Sequence, residues 1–103
     1  MRVIAVSTLK DFWEQPAHRD AEVPLTAWYQ EMEQGHWATP AEIKAQYANA
    51  SILKNRRVVF NIKGNDYRVV VAVAYRFQAM YIKFVGTHAQ YDAIDANTVE
   101  IKP

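Results

Sequence analysis

The sequence predicts an α+β domain in which N-terminal helices pack on one face of a mostly antiparallel sheet. Three observations support this fold: apolar residues recur at helical spacing in the first half, they alternate in the second half, and the dipeptide Gly64-Asn65 separates two strand-like runs. The predicted order is β-α-α-α-β-β-β, followed by a short helix or turn from His88 and an extended tail. We expect residues 1–103 to form a single domain, because a chain of this length buries one modest core.

The residues RVIAV predict a short first strand, and Ser7 or Thr8 can cap the helix that follows. Leu9, Phe12 and Trp13 recur at the spacing of one helix face. These three side chains should therefore face the core.

A longer second helix is predicted from about His18 to Gln34, with Gly35 as its end signal. Pro24 lies inside this span, so the helix either starts later or bends there. The buried stripe of this helix should consist of Leu25, Trp28 and Met32.

The residues TPAEIKAQY predict a short third helix with a strong start signal. Thr39 is the expected cap, Pro40 occupies the first helical position, and Glu42 is placed for a capping box. The following residues, ANAS, predict a loop.

The runs RRVVFNIK and DYRVVVAVAY flank the two-residue turn, which fixes their register. Lys63 should then face Asp66, and Asn61 should face Arg68. One face of the sheet is expected to lie under helices that carry Trp13, Leu25 and Trp28, and its buried side chains should be Phe60, Val69, Val71, Val73, Ile82 and Phe84.

The run MYIKFVGT follows after the connection 76–79. If this connection is a four-residue hairpin loop, the pairs to expect are Val71 with Phe84, Ala72 with Lys83, and Arg68 with Thr87.

Positive charge is concentrated in the second half, although the net charge of the chain is only +1. Residues 54–83 contain seven Lys or Arg and a single acidic residue, Asp66. Alternation along the strands should bring polar and cationic side chains together on the face opposite the helices: Arg57, Asn61, Lys63, Arg68 and Lys83. An anionic partner is the natural ligand of such a face, although a merely solvated basic surface is the alternative.

The same face should have Thr87 and His88 at its edge and small side chains at Ala72 and Ala74, which would leave room above the sheet. Three apolar side chains are also expected there: Val59, Val70 and Val85. The segment after His88 should therefore cover part of this face.

These residue types suit the cleavage of RNA. His88 can act as acid or base near neutral pH, and Arg68 and Lys63 can stabilise the charge that develops on phosphorus. Tyr91 could stack on a base or donate its hydroxyl. The plainer alternatives are that His88 caps a helix, that Tyr91 packs on its first turn and that the cations are ordinary surface charges.

Other kinds of site receive little support from the sequence. The absence of cysteine excludes disulfides and thiolate metal sites, and His18 and His36 have no partners at ligand spacing. We expect no metal and no cofactor. No apolar run resembles a signal peptide or a membrane span, so we expect a cytoplasmic protein without membrane contact.

Residues VVFNIKGNDYRVVVAVAY, followed by YIKFVGTHAQYD, resemble the HigB family of RelE-like toxins over about residues 57–92. The resemblance implies a small RelE/microbial-ribonuclease-like fold. It also implies the toxin of a type II toxin–antitoxin pair, a ribosome-dependent endonuclease that cuts mRNA and arrests translation. The implied partners are the ribosome, mRNA and a HigA-like helix-turn-helix antitoxin, through which alone the toxin would reach operator DNA. The motif positions are Asn61, Lys63, Asn65, Arg68, His88 and Tyr91.

The resulting hypothesis is a metal-independent endoribonuclease that uses the 2′-hydroxyl of its substrate. Its predicted catalytic residues are His88, Arg68, Lys63 and Tyr91, with the roles of acid and base left open. Its predicted RNA-binding residues are Lys54, Arg57, Asn61, Asn65, Lys83 and Thr87. Two alternatives remain at this point: a non-catalytic module that binds RNA or the ribosome through the same face, and a scaffold for protein binding.

Overall fold

The computed structural model describes residues 1–101, and it shows an α+β fold with a five-stranded sheet in the order β1-β5-β4-β3-β2. Strand β1 runs parallel to β5, and the other three pairings are antiparallel. The predicted class and the mostly antiparallel sheet are therefore confirmed. The elements are β1 (Arg2–Ile4), α1 (Ser7–Trp13), a 3₁₀ segment (Pro16–Ala21), α2 (Glu22–Gln34), α3 (Pro40–Gln46), β2 (Ser51–Ile52), β3 (Arg57–Ile62), β4 (Tyr67–Ala74), a 3₁₀ turn (Tyr75–Phe77), β5 (Ala79–Thr87) and α4 (His88–Asp92).

The helices differ from the prediction mainly at their starts. Helix α1 is preceded by Val6 and has no side-chain cap, so the predicted cap at Ser7 or Thr8 is wrong. Helix α2 begins at Glu22 because the residues before it form the 3₁₀ segment, and Pro24 then lies in the first turn, where its missing N–H is not needed. Helix α3 has the predicted cap, with the Thr39 hydroxyl accepting from the Glu42 N–H at 3.3 Å.

Strand β2 was not predicted, since ANAS was expected to form a loop and no strand was assigned before RRVVFNIK. It pairs only two residues with β3, Ser51 with Val59 and Ile52 with Val58. Two residues are too few for apolar alternation to show in the sequence. The prediction therefore missed the fifth strand.

The β3–β4 hairpin has the predicted register, with Asn61 opposite Arg68 and Ile62 opposite Tyr67. The connection closes with the Asp66 N–H donating to the Lys63 carbonyl at 3.1 Å. Lys63 and Gly64 both have positive φ, +53° and +63°, so the chain turns before the strand alternation reaches Lys63.

The predicted register of the β4–β5 hairpin is wrong. Its connection is residues 75–78 rather than 76–79, with Gln78 in the left-handed conformation, and Val71 pairs with Ile82 instead of Phe84. A bulge follows: Val70 pairs with Phe84, which leaves Lys83 as the extra residue on β5. Beyond the bulge Arg68 pairs with Gly86, not with Thr87.

The bulge reverses the faces of the two residues that follow it. Phe84 therefore leaves the helix-covered face, where it was predicted, and Val85 joins that face, contrary to prediction. The other predicted core residues lie where expected, with the Trp28 ring 5.5 Å from that of Phe60. Those buried against the helices are Phe60, Val69, Val71, Val73 and Ile82.

The opposite face of the sheet is covered by α4 and residues 93–100, which we call the tail. Val59, Val70 and Ala96 are buried there. They are packed against partly buried side chains of Leu53, Phe84, Tyr91, Ile94 and Val99. The prediction that the segment after His88 covers this face is confirmed, but the covering extends further than expected, and within residues 1–101 it leaves Arg57 and Arg68 buried rather than on an open basic surface.

We predict that Phe60→Ala lowers the free energy of unfolding by about 3–5 kcal/mol, because Phe60 is 3% exposed and packs against the rings of Trp28 and Tyr47. Phe84→Ala should cost less, since its ring is only partly buried beneath the tail. Urea denaturation of both variants measures the difference. Equal losses would contradict the division into two apolar clusters.

Candidate active site

One end of the sheet collects most of the predicted site residues. The hairpin connection 63–66, the start of β4, the end of β5 and helix α4 meet there. The His88 N–H donates to the Asp66 carbonyl at 3.0 Å, which ties α4 to the connection. Residues that lie far apart in the sequence are thereby held around one edge.

Arg68 is the most unusual side chain at this end, because it is a cation with only 8% exposure. Its guanidinium donates to the carbonyls of Asn65 at 3.0 Å and Tyr67 at 3.2 Å, and to the Asn65 side-chain oxygen at 3.3 Å. The guanidinium carbon lies 5.8 Å from the centroid of the Tyr91 ring. Among residues 1–101 no carboxylate lies within 4.0 Å of it. Arg68 is therefore fixed in place while its charge stays uncompensated.

His88 begins α4 and pairs with a carboxylate of the same helix. Its Nδ1 lies 3.0 Å from Oδ2 of Asp92, and its side chain is 50% exposed. Thr87 caps the helix in a full capping box with Gln90. The Asp92 contact engages Nδ1 and leaves Nε2 as the ring nitrogen for proton exchange with a ligand.

Lys63 is not on the sheet face where it was predicted. It reaches the helical side, where its ammonium lies 2.8 Å from Asp20 Oδ2 and 3.4 Å from Asp66 Oδ2. The positive φ of Lys63 and Gly64 ends the strand alternation on which the prediction depended. Lys63 and Arg68 consequently approach the edge from opposite sides.

Asp20 joins Lys63 to a buried tyrosine. The Tyr67 hydroxyl donates to Asp20 Oδ1, and Tyr67 itself is 5% exposed with its ring edge against Phe12. The hydrogen bond from Lys63, and next that from Tyr67, lowers the pKa of Asp20. The bond to Asp20 raises the pKa of Lys63, and burial followed by the same carboxylate raises the pKa of Tyr67 to about 12. At neutral pH the Asp20 carboxylate and the Lys63 ammonium are charged and the Tyr67 hydroxyl keeps its proton, so the three groups form one hydrogen-bonded network.

Asn61 and Asn65 contribute to the same end. Asn61, at the end of β3, borders two open cavities of about 320 Å³ and 300 Å³ on either side of Tyr47. Asn65 holds Arg68 through both its carbonyl and its side chain. These amides can position a ligand next to the two cations.

The predicted convergence of all the cations on one open sheet face is wrong. Arg57 is 6% exposed, and it donates to the carbonyls of Ala96 at 3.1 Å and Val99 at 2.7 Å and to Glu100 at 2.5 Å. Lys83 pairs with the same Glu100 at 2.7 Å. Both cations hold the tail on the sheet, so neither has a free charged group at the surface.

Lys54 lies at the far end of β3 from Lys63, a separation of about 20 Å for a strand of six residues. Arg56 and Arg76 are exposed close to it, and none of the three forms an ion pair within the described part of the chain. Phe77 in the adjacent 3₁₀ turn is 77% exposed. This end of the sheet offers a second cationic surface, distant from His88.

Sequence reasoning missed Asp20 and Tyr67 as members of the site. Alternation along β4 places Tyr67 on the same face as Val69, which is correct for its buried ring but gives no sign of its hydroxyl contact. Asp20 is 43 residues from Lys63, and no local pattern could connect the two. Asp92 was noted in the motif but not as a partner of His88, although the spacing of four residues on a helix start was a usable signal.

Within residues 1–101 no group of three or more His, Asp or Glu side chains is arranged to hold a metal ion. The helices of this same region are all too short or too polar to cross a membrane.

Residues 21–94 match the model of the family described as HigB_toxin, the RelE-like toxic component of a toxin-antitoxin system. This chain belongs to the HigB toxin family. It is 33% identical over 99 residues to the mRNA interferase toxin HigB of Escherichia coli K12, which covers 93% of this chain and 92% of that protein. The mRNA interferase HigB of Shigella flexneri is similar to the same extent. The mRNA interferase HigB of Escherichia coli O6:H1 is 25% identical over 72 residues, or 68% of this chain and 70% of that protein.

The structure predicts different consequences for Arg57 and Lys54. Arg57→Ala should lower the free energy of unfolding by about 2–3 kcal/mol, because two carbonyls of the tail lose their donor. Lys54→Ala should leave stability within about 0.5 kcal/mol of wild type, as is usual for exposed positions, but weaken RNA binding and reduce its salt dependence. Urea denaturation and RNA titration at several salt concentrations measure both. A stable Arg57→Ala variant with weakened RNA binding would support the original assignment of Arg57 as an RNA ligand.

Proposed function

We propose that this chain is an mRNA interferase, the toxin of a type II toxin–antitoxin pair, and that it cleaves mRNA on the ribosome without a metal ion in the cytoplasm. Membership of the HigB family and the names of its relatives support the toxin and the mRNA interferase activity. The residues at the end of the sheet supply the finer assignment of roles.

The observation that carries the proposal is the uncompensated charge of Arg68. Burying a guanidinium beside neutral carbonyls is costly unless the charge serves an anion. The parallel N–H donors of a planar guanidinium suit a phosphate, and RNA has a phosphate at every nucleotide. Because Asn65 and Tyr91 already fix the guanidinium, it can stabilise negative charge on phosphorus without having to reorganise.

His88 supplies the titratable group at the same edge. With Nδ1 engaged by Asp92, its Nε2 can exchange a proton with the RNA. In the proposed reaction a base takes the proton of the 2′-hydroxyl, the 2′-oxygen bonds to phosphorus and the bond from phosphorus to the 5′-oxygen breaks. An acid then protonates the leaving 5′-oxygen, and the products are a 2′,3′-cyclic phosphate and a 5′-hydroxyl.

Lys63 and Tyr91 complete the set of catalytic groups. Lys63, half-exposed on the helical side of the edge, places a second cation near the phosphate. Tyr91 lies between Arg68 and the Phe84 ring, so its ring supports the guanidinium while its position on α4 keeps it close to His88. Asn61, Asn65 and Thr87 border the same edge and are the proposed ligands of the flanking nucleotides.

Docking on the ribosome is proposed for the distant cationic end. Lys54, Arg56 and Arg76 are exposed there beside Phe77, a combination that suits phosphates and an unpaired base. This surface also favours a second candidate function, a module that binds RNA or the ribosome without cutting it. Detection of cleaved RNA ends separates the two.

The proposed partner is a HigA-like helix-turn-helix antitoxin that binds the toxin and alone contacts operator DNA. A cell that makes this protein needs such an inhibitor, because free toxin would arrest translation. We predict that expression of this chain alone stops growth, and that co-expression of a HigA-like antitoxin restores growth and yields a complex that co-purifies. Harmless expression of a folded protein would contradict the toxin assignment.

For the chemistry, we predict that His88→Ala slows single-turnover cleavage of a programmed ribosome complex by ~10²–10⁴-fold through loss of proton transfer. Arg68→Ala should slow it by roughly 10²–10³-fold, because the transition-state charge loses its donor. His36→Ala, an exposed histidine outside the site, is the matched control and should cleave at the wild-type rate. A chelator should change none of these rates.

Two outcomes would overturn parts of this mechanism. Abolition of cleavage by a chelator, at a concentration that leaves the ribosome complex itself assembled, would contradict the metal-free reaction. Full activity of His88→Ala would transfer the proton-moving role to Lys63 and Tyr91 and leave His88 as the start of α4 only. Thermal melting of each variant separates loss of chemistry from loss of fold.

A further inference from the structure

Asp20 makes contacts that neither the sequence motif nor the family match assigns. It lies in the 3₁₀ segment, one residue before the range that the family model covers. Its two carboxylate oxygens take different donors, the Lys63 ammonium at 2.8 Å and the Tyr67 hydroxyl. A carboxylate shared in this way connects a half-exposed cation of the site to a side chain of the core.

Tyr67 is the fixed end of this connection. It belongs to β4, is 5% exposed and packs its ring edge against Phe12, while His18 stacks on Phe12 at 4.3 Å. A buried hydroxyl needs an acceptor, and Asp20 is the one it has. The position of the carboxylate is therefore set by the core rather than by the half-exposed Lys63 side chain.

Lys63 lies at the other end of this connection, and its side chain depends on Asp20 for a defined position. It lies in the hairpin connection, outside the β-ladder, and its side chain is 45% exposed. Four rotatable bonds would otherwise spread its ammonium over many positions. An ammonium has three donors; Asp20 and Asp66 can engage two of them, which leaves one for a phosphate oxygen.

We propose that Asp20 is a positioning residue for RNA cleavage, which uses the buried Tyr67 hydroxyl as an anchor to hold the Lys63 ammonium at the edge of the site. This inference rests on the proposed function, in which Lys63 is one of the cations that face the phosphate. Asp20 itself does not touch the RNA. Its contribution is the orientation of the cation that does.

The charges around Lys63 are consistent with this role. Asp20 and Asp66 flank the ammonium directly, and Glu31 of α2 borders the same cavity of about 300 Å³. The hydrogen bond to Asp20 raises the pKa of Lys63, which favours the protonated ammonium that would face the phosphate. Removing the carboxylate charge should lower this pKa, because the positive form then loses its strongest partner.

Single-turnover cleavage by Asp20→Asn, Asp20→Glu and the charge-matched control Asp11→Asn tests the proposal. Asp20→Asn should lower the maximal rate by roughly 10–100-fold, as expected for a misplaced catalytic group, while KM changes less than about threefold. Asp20→Glu should recover part of the rate, and Asp11→Asn should match wild type. Tyr67→Phe should give an intermediate loss, because Asp20 then keeps only its Lys63 contact.

An NMR titration of the Lys63 ε-carbon provides a readout that a merely structural role would not change. The pKa of Lys63 should fall in Asp20→Asn and stay at its wild-type value in Asp11→Asn. A wild-type cleavage rate in Asp20→Asn, with an inactive Lys63→Ala, would overturn the role of Asp20 while leaving the proposed function intact. Full activity of Lys63→Ala would instead remove Lys63 from the mechanism and the positioning role with it. A rate loss in Asp20→Asn that merely follows the unfolded fraction, with no change in the Lys63 titration, would also overturn the proposal.

Discussion

The pairing of β3 with β4 is the constraint on which both faces of the molecule depend. It sets Asn61 opposite Arg68 and Phe60 opposite Val69, so one register decides which side chains enter the core and which approach the site. The connection between the two strands then supplies Asn65, the acceptor that holds the Arg68 guanidinium. A hairpin formed by neighbouring residues thus contributes both to the core and to the edge that carries Arg68.

The site itself is assembled by long-range contacts that this hairpin makes available. Helix α4 is tied to the hairpin by one backbone hydrogen bond, and the 3₁₀ segment is tied to it by Asp20. The two cations are treated differently: Arg68 is immobilised among neutral acceptors, whereas Lys63 is held by carboxylates and remains half-exposed. Arg68 therefore offers a fixed positive charge on one side of the edge, and Lys63 offers an oriented but less buried hydrogen-bond donor on the other.

The parts of the structure that the sequence predicted are those governed by local rules. Helix α3 and the register of the first hairpin follow from cap and turn residues, and both the Thr39 cap and the pairing of Asn61 with Arg68 agree with the expectation. The bulge at Lys83 could not be predicted, because the packing of the tail against Phe84 favours it and alternation alone is blind to an inserted residue. The role of Arg57 was unpredictable for a similar reason. Its positive charge suggested a ligand site, but its hydrogen-bond partners are carbonyls of the tail, about 40 positions away in the sequence. The catalytic roles proposed for His88, Arg68, Lys63 and Tyr91 depend on the chemistry of these side chains, which sequence periodicity does not encode.

The bulge at Lys83 also bears on how this chain can diverge. A single insertion or deletion inside a strand normally turns every later side chain to the wrong face, so such changes are rarely tolerated in a sheet. At Lys83 the extra residue is already absorbed by local distortion, and the two halves of β5 satisfy different apolar clusters. A gap of one residue when homologous chains are aligned belongs at this position rather than in the loops on either side. Placing the gap elsewhere in the alignment would assign residues 84–87, in the second half of β5, to the wrong face of the sheet.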